Sequence, residues 1–191
     1  NRFFRFFDQR IATAITLTGQ LTIRWAEAAL NKALNKILKT EDKDYVIAMD
    51  TDSLYVNLGT MVEKLNPKNP VDFLDKACNE LEKHLAESYD KLFKIMGGTV
   101  NKMVMSREVI ADRGIWTAKK RYILNVYDNE GVRYAVPKLK IMGIEAIKSS
   151  TPEPCRKALK RILNIIIAGN QGDAQKSIQQ FREYFRTLKI E

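Results

Sequence analysis

A chain of 191 residues is long enough to bury one hydrophobic core without staples, and 45% hydrophobic and 29% charged residues are the balance of an ordinary globular protein. No apolar run approaches the roughly 20 residues that span a bilayer, and the basic, aromatic start (Asn1 to Phe7) lacks a signal-peptide cleavage pattern. Two widely separated cysteines, Cys78 and Cys155, suggest neither a metal knuckle nor a disulfide framework, so a reducing, cytoplasmic setting with no membrane partner is expected.

The elements read in chain order as follows. From Asp8 to about Lys39 the pattern is helical, with Ala26, Leu30, Ala33, Leu34 and Ile37 on one side and Lys and Asn on the other. After a polar break at residues 40–44, the β-rich runs Tyr45 to Met49 and Leu54 to Leu58 predict a hairpin around a four-residue acidic turn, Asp50-Thr51-Asp52-Ser53. Pro67 and Pro70 bracket a loop before a second helix whose face is Leu74, Cys78, Leu81, Leu85 and Leu92, ended by Gly97-Gly98. His84, in a charged stretch of that helix, is expected at the surface. Strand-like runs follow at Val100 to Ile110, Ile115 to Tyr127 and Val132 to Val136, the last two joined by the turn Asp128 to Gly131. Thr151-Pro152 opens a helix closed by Gly169, and a last amphipathic helix spans about Asp173 to Leu188. This order predicts an α+β fold, with a mainly antiparallel sheet covered by helices on one face.

Charge is unevenly placed along this order. Residues 1–98 balance 14 Lys and Arg with 14 Asp and Glu, whereas residues 99–191 hold 18 against 9, so the whole net charge of +9 lies in the second half. That asymmetry points to a polyanion, nucleic acid first and an acidic membrane surface second.

Two segments carry candidate chemistry. Asp50 and Asp52 are expected to aim both carboxylates at one spot, where they repel each other unless a cation lies between them. Hard divalent ions with oxygen ligands suit such a site, and phosphoryl transfer assisted by two metal ions is the corresponding chemistry. The same four residues also make a good plain turn, and an Asp-x-Asp pair serves equally in metal-dependent nucleotide-sugar transferases. The second segment runs from Trp116 to Tyr127 and contains Lys119-Lys120-Arg121-Tyr122. As a strand it would place Lys120 and Tyr122 on one face and Lys119 and Arg121 on the other. Its cations must be solvated or paired with an anion such as phosphate, with Lys138, Lys140 and Lys148 extending the basic surface. A charged edge strand guarded against aggregation is the plainer reading of the same residues.

Taken together, these residues resemble the family B DNA polymerases, and among them the replicative polymerases of T-even-like bacteriophages. Asp50-Thr51-Asp52-Ser53 is similar to the family's third polymerase motif, and Lys119-Lys120-Arg121-Tyr122 to its primer-binding motif. Ala12 to Thr16 with Gly19-Gln20, Leu139 to Gly143, and Lys148 to Pro152 support the likeness. The resemblance implies a palm sheet with a ferredoxin-like core, residues 1–150 being the C-terminal part of the palm and residues 151–191 the helices that begin the thumb. It implies DNA-directed DNA synthesis with two Mg²⁺ ions, for which Mn²⁺ substitutes. Asp52 would be the principal metal ligand, with Asp50 beside it and Glu108 acting nearby through water. Lys120 and Tyr122 would hold the primer terminus. Lys119 and Arg121 would support the DNA backbone, Lys140 would add to the basic surface, and Lys148 would meet the primer at the edge of the thumb. The implied partners are primer–template DNA, deoxynucleoside triphosphates, the remainder of the polymerase (exonuclease, fingers, first carboxylate motif and thumb) and a sliding clamp, in the cytoplasm of a bacterial host if the chain is phage-encoded.

The chain also departs from the pattern. Ala48-Met49 stands where many relatives have Tyr-Gly, Ser106 replaces an Asp, and the loop between Glu108 and Trp116 is shorter. The first carboxylate motif and the triphosphate-binding fingers helix lie upstream of Asn1 in the family, and no exonuclease signature is visible. The expectation is therefore an excised fragment or one piece of a split polymerase that does not polymerise alone. A DNA-gripping module without chemistry is the alternative.

Overall fold

Asp8 marks where the first helix begins. Its carboxylate accepts from the Arg10 N–H and caps α1 (Gln9–Leu38), and Lys39 ends that helix in the left-handed region with φ 52°. These bounds match the sequence reading within a residue. The computed structural model describes residues 3–188, and the chain divides between Arg107 and Glu108 into two compact units.

In the first unit, the hydrophobic stripe of α1 packs against α3 (Pro70–Ile95), whose first turn is set by Pro70 and by Asn69 accepting from the Val71 and Asp72 N–H groups. Ala26, Leu30, Leu85, Tyr89 and Leu92 form one buried cluster with Val46. Trp25 ties the two helices by donating to the Ser88 carbonyl and hydroxyl at 3.1 and 2.9 Å. β1 (Val46–Asp50) and β2 (Ser53–Val56) pair antiparallel with Asp50 opposite Ser53. A second cluster gathers Leu34, Leu38 and Tyr45 around Met61 of a short helix, α2 (Gly59–Leu65), which the sequence reading did not separate from its loop.

The polar side of α1 has a structural task. Asn31 accepts from the Tyr45 and Val46 N–H groups at 2.8 and 3.2 Å and donates to Asp44 at 2.8 Å. Asn35 accepts from the Lys43 N–H at 2.9 Å and donates to the Lys43 carbonyl at 2.7 Å. These two side-chain amides satisfy the backbone just where it enters β1.

Residues 101–108, expected as a strand, have no regular secondary structure. Burial nevertheless alternates: Met103 and Met105 pack on the α1–α3 core, and Arg107 pairs with Asp75 at 2.8 Å, while Val104 is 88% exposed. The period of two belongs to a segment anchored by its side chains instead of by a backbone ladder.

The second unit is a meander, β3 (Val109–Ala118), β4 (Arg121–Asn129) and β5 (Val132–Met142), all antiparallel. Among the described residues the strands thus form two small sheets, and the expected run from Ile115 to Tyr127 is two strands joined by a turn. Asp128, fully buried, accepts from the Gly131 N–H at 3.0 Å and pairs with Arg133 at 2.6 Å, which fixes the β4–β5 turn. A 3₁₀ turn (Glu145–Ile147) leads to α4 (Glu153–Ile167), which packs on β3 and β4, and α5 (Gln171–Thr187) packs on α4. All of this is an α+β arrangement, as the order of elements implied. Among the described residues, no helix is long and apolar enough to cross a membrane.

Removing the Asn31 amide takes the acceptor from the Tyr45 N–H, on a residue 1% exposed, and leaves the Val46 N–H to Asp44 alone, whose carboxylate Asn31 no longer holds. Asn31→Ala is therefore expected to cost about 1–3 kcal/mol in urea unfolding, more than Ala substitution at exposed Lys32 or Lys36.

Candidate nucleic-acid and metal site

The acidic motif is at the tip of a hairpin tighter than expected. Asp50 is the last residue of β1, and only Thr51 and Asp52 form the turn. The strand alternation that would aim both carboxylates the same way stops at Asp50, so the turn itself keeps the two side chains on one tip. Asp50 is half-buried and its Oδ1 accepts from the Thr51 N–H at 2.8 Å and the Thr51 hydroxyl at 3.2 Å, which orients the group. Asp52 is exposed. Two hard-oxygen donors on one hairpin fit a divalent cation as part of a ligand set. Among the described residues, no third His, Cys, Asp or Glu joins them to make a group of three. Ala48 and Met49 lie on the same strand, paired with Tyr55 and Leu54.

Glu108 is exposed and opens the second unit, where its carbonyl accepts from the Glu130 N–H at 2.6 Å. His84 is exposed, as read. Burial pushes the Cys78 thiol up to about 11, against the opposing pull of Arg107, so it stays protonated at neutral pH.

The basic motif belongs to the second unit and is a turn, not a strand interior. Ala118 pairs with Arg121, which leaves Lys119 and Lys120 as the two exposed turn residues. The alternation expected between Lys120 and Tyr122 is thereby replaced by turn geometry. Lys120 takes φ 62°, a left-handed conformation costing a non-glycine residue roughly 1 kcal/mol. Tyr122 pairs across the sheet with Trp116, their ring centroids 6.2 Å apart, and with Met142 on β5. Lys140, half-buried, lies opposite Leu124. Lys138 sits over the Tyr134 ring at 4.2 Å.

Two residues to which sequence reasoning gave no role of their own organise this cluster. Gly143, φ 66°, follows β5, and a Cβ there would stand 2.1 Å from the Lys120 carbonyl oxygen. Glu145 accepts from Arg121 at 2.7 Å and from Lys148 at 2.9 Å on the same oxygen. Lys148, its own backbone and Arg121 hold the Glu145 carboxyl below the usual carboxylate range, so the group favours its charged form beside the two cations. Gly143 ends a stretch already notable in the sequence, but its close approach to Lys120 joins residues distant in the chain.

No family model matches the sequence. Two curated proteins do: the chain is 39% identical over 203 residues to the "DNA-directed DNA polymerase" of Escherichia phage RB69 and 36% identical over 203 residues to that of Enterobacteria phage T4. Each match covers 98% of this chain, and the chain spans only 22–23% of the length of these relatives.

Gly143→Ala both strains the backbone and drives a methyl group into Lys120. It is expected to destabilise the chain by roughly 1–3 kcal/mol in chemical denaturation and to perturb the Lys119 and Lys120 amide NMR signals, whereas Gly131→Ala should leave those signals in place.

Proposed function

From its homology to one segment of the T-even-like family B DNA polymerases, we propose that this chain is a working part of a DNA-directed DNA polymerase, a nucleotidyltransferase. The observation carrying the proposal is that similarity runs along 98% of the chain and includes both the acidic hairpin and the Lys-Lys-Arg-Tyr turn. Residues 1–150 are read as palm and residues 151–191 as the start of the thumb.

Asp52 and Asp50 would hold divalent cations, two Mg²⁺ ions or Mn²⁺ in their place. When bound, such cations neutralise triphosphate charge and favour the ionised 3′-hydroxyl. The chain's own work is to bind and orient. Asp50, fixed by Thr51, keeps the tip of the hairpin in one geometry beside Asp52. Glu108 adds negative charge that acts through water. Lys120 and Tyr122 grip the primer end, and Lys119, Arg121, Lys140 and Lys148 take backbone phosphates, contacts that set register and not sequence. Deoxynucleoside triphosphates are the substrates, and the exonuclease, fingers, first carboxylate motif and a sliding clamp are the partners.

A narrower reading applies to the 191 residues by themselves: binding of primer–template DNA without synthesis. It is favoured by the chain's span of only 22–23% of the length of the polymerases it matches.

Mn²⁺ binding followed by paramagnetic broadening should centre on residues 50–53 and be lost in Asp52→Ala, with the thermal unfolding curve unchanged. Broadening that ignored Asp52 would remove the metal assignment. In a primed-template assay with Mg²⁺ and all four deoxynucleotides, the chain alone is expected to yield no extension, and extension is expected once the polypeptide bearing the fingers and first carboxylate motif is added. Synthesis by the chain alone that disappeared in Asp52→Ala would instead make Glu108 the third carboxylate.

A further inference from the structure

Glu145 holds two of the cations assigned above to DNA phosphates, and it holds them with one atom. Arg121 opens β4 and Lys148 follows the 3₁₀ turn, yet both donate to Glu145 Oε1, at 2.7 and 2.9 Å. Two cations sharing one oxygen stand close enough to straddle a single anion. All three side chains are between 42% and 48% exposed, so solvent and a large ligand reach them. Gly143 allows the chain after β5 to pack against the Lys120 carbonyl, which seats Glu145 beside the basic turn.

A phosphodiester carries the same single negative charge as a carboxylate and accepts from guanidinium and ammonium in the same way. We propose that Glu145 is a built-in phosphate stand-in: in the DNA-free chain its carboxylate occupies the seat formed by Arg121 and Lys148, and a DNA backbone phosphate binds there by displacing it. The proposal rests on the DNA-binding reading above. The carboxylate keeps the two cations gathered and limits their hold on DNA, because each phosphate bound there must displace a competing anion. An exposed ion pair is weak and salt-screened, so the exchange is easy and rapid.

The test is binding of the whole chain to a fluorescent primer–template duplex over a series of salt concentrations. Glu145→Gln removes the competing charge and should bind about threefold tighter at low salt, with a steeper slope of log K against log salt, because no displaced carboxylate takes up a counterion as the phosphate releases one. Glu145→Asp keeps the charge and should remain near wild type. The gain from Glu145→Gln should vanish when Arg121 and Lys148 are both changed to Gln. Unchanged or weaker binding by a folded Glu145→Gln chain, with an unchanged slope, overturns the stand-in and assigns Glu145 a merely structural role. Lys120→Ala separates this failure from that of the premise. If wild type and Lys120→Ala show the same salt-insensitive binding, the DNA reading fails and the stand-in falls with it.

Discussion

The first unit depends on a few side-chain amides that bridge a helix to a strand. The connection from α1 to β1 runs through residues 40–45, where main-chain bonds satisfy the Thr40 N–H and the Tyr45 carbonyl but not the Lys43, Tyr45 and Val46 N–H groups. Asn31 and Asn35 supply the missing partners from the helix itself, at 2.7–3.2 Å. Burial of Tyr45 and Val46 in the two hydrophobic clusters then makes those hydrogen bonds hard to exchange for water. The position of the acidic hairpin follows: β1 enters in one register, Asp50 falls opposite Ser53, and Asp52 is left in the turn.

The second unit solves a different problem, how to present like charges in a small space. Lys119, Lys120, Arg121, Lys140 and Lys148 repel one another, and a flat strand would spread them along both faces. A two-residue turn instead places Lys119 and Lys120 at the end of the meander, at the cost of a left-handed lysine. Gly143 lends space beneath the turn, and Glu145 offsets part of the charge. Lys120 retains a left-handed backbone where glycine would be easier, a strain the surrounding turn has to support.

The comparison with the phage polymerases and the geometry carry different parts of the conclusion. A two-carboxylate hairpin alone fits several metal-dependent reactions, and the proposal of DNA synthesis rests on similarity to the phage polymerases along 98% of the chain. Geometry shows how the matched motifs are supported by residues outside them, such as Asn31, Gly143 and Glu145. The proposed exchange of the Glu145 carboxylate for a phosphate rests on geometry of this kind.

Much was legible in the sequence because it is local. The bounds of α1 follow from a three- and four-residue apolar period that stops at the polar break of residues 40–44, the start of α3 from the loop bracketed by Pro67 and Pro70, and the β4–β5 turn from Asp128 to Gly131, all settled by near neighbours. The motifs were legible for the same reason, as short runs of residues. What only the tertiary structure decided is non-local. Residues 101–108 have a strand's periodicity but gain their partners through side chains docked on α1 and α3. The basic run is equally β-rich whether it continues or turns, and it turns because β3 and β4 pair back on each other. Asn31 looked like the solvated side of an amphipathic helix, and its role emerges only where the chain returns to it. Sequence pattern reports what each residue prefers, whereas the pairing of distant segments selects among preferences of nearly equal energy.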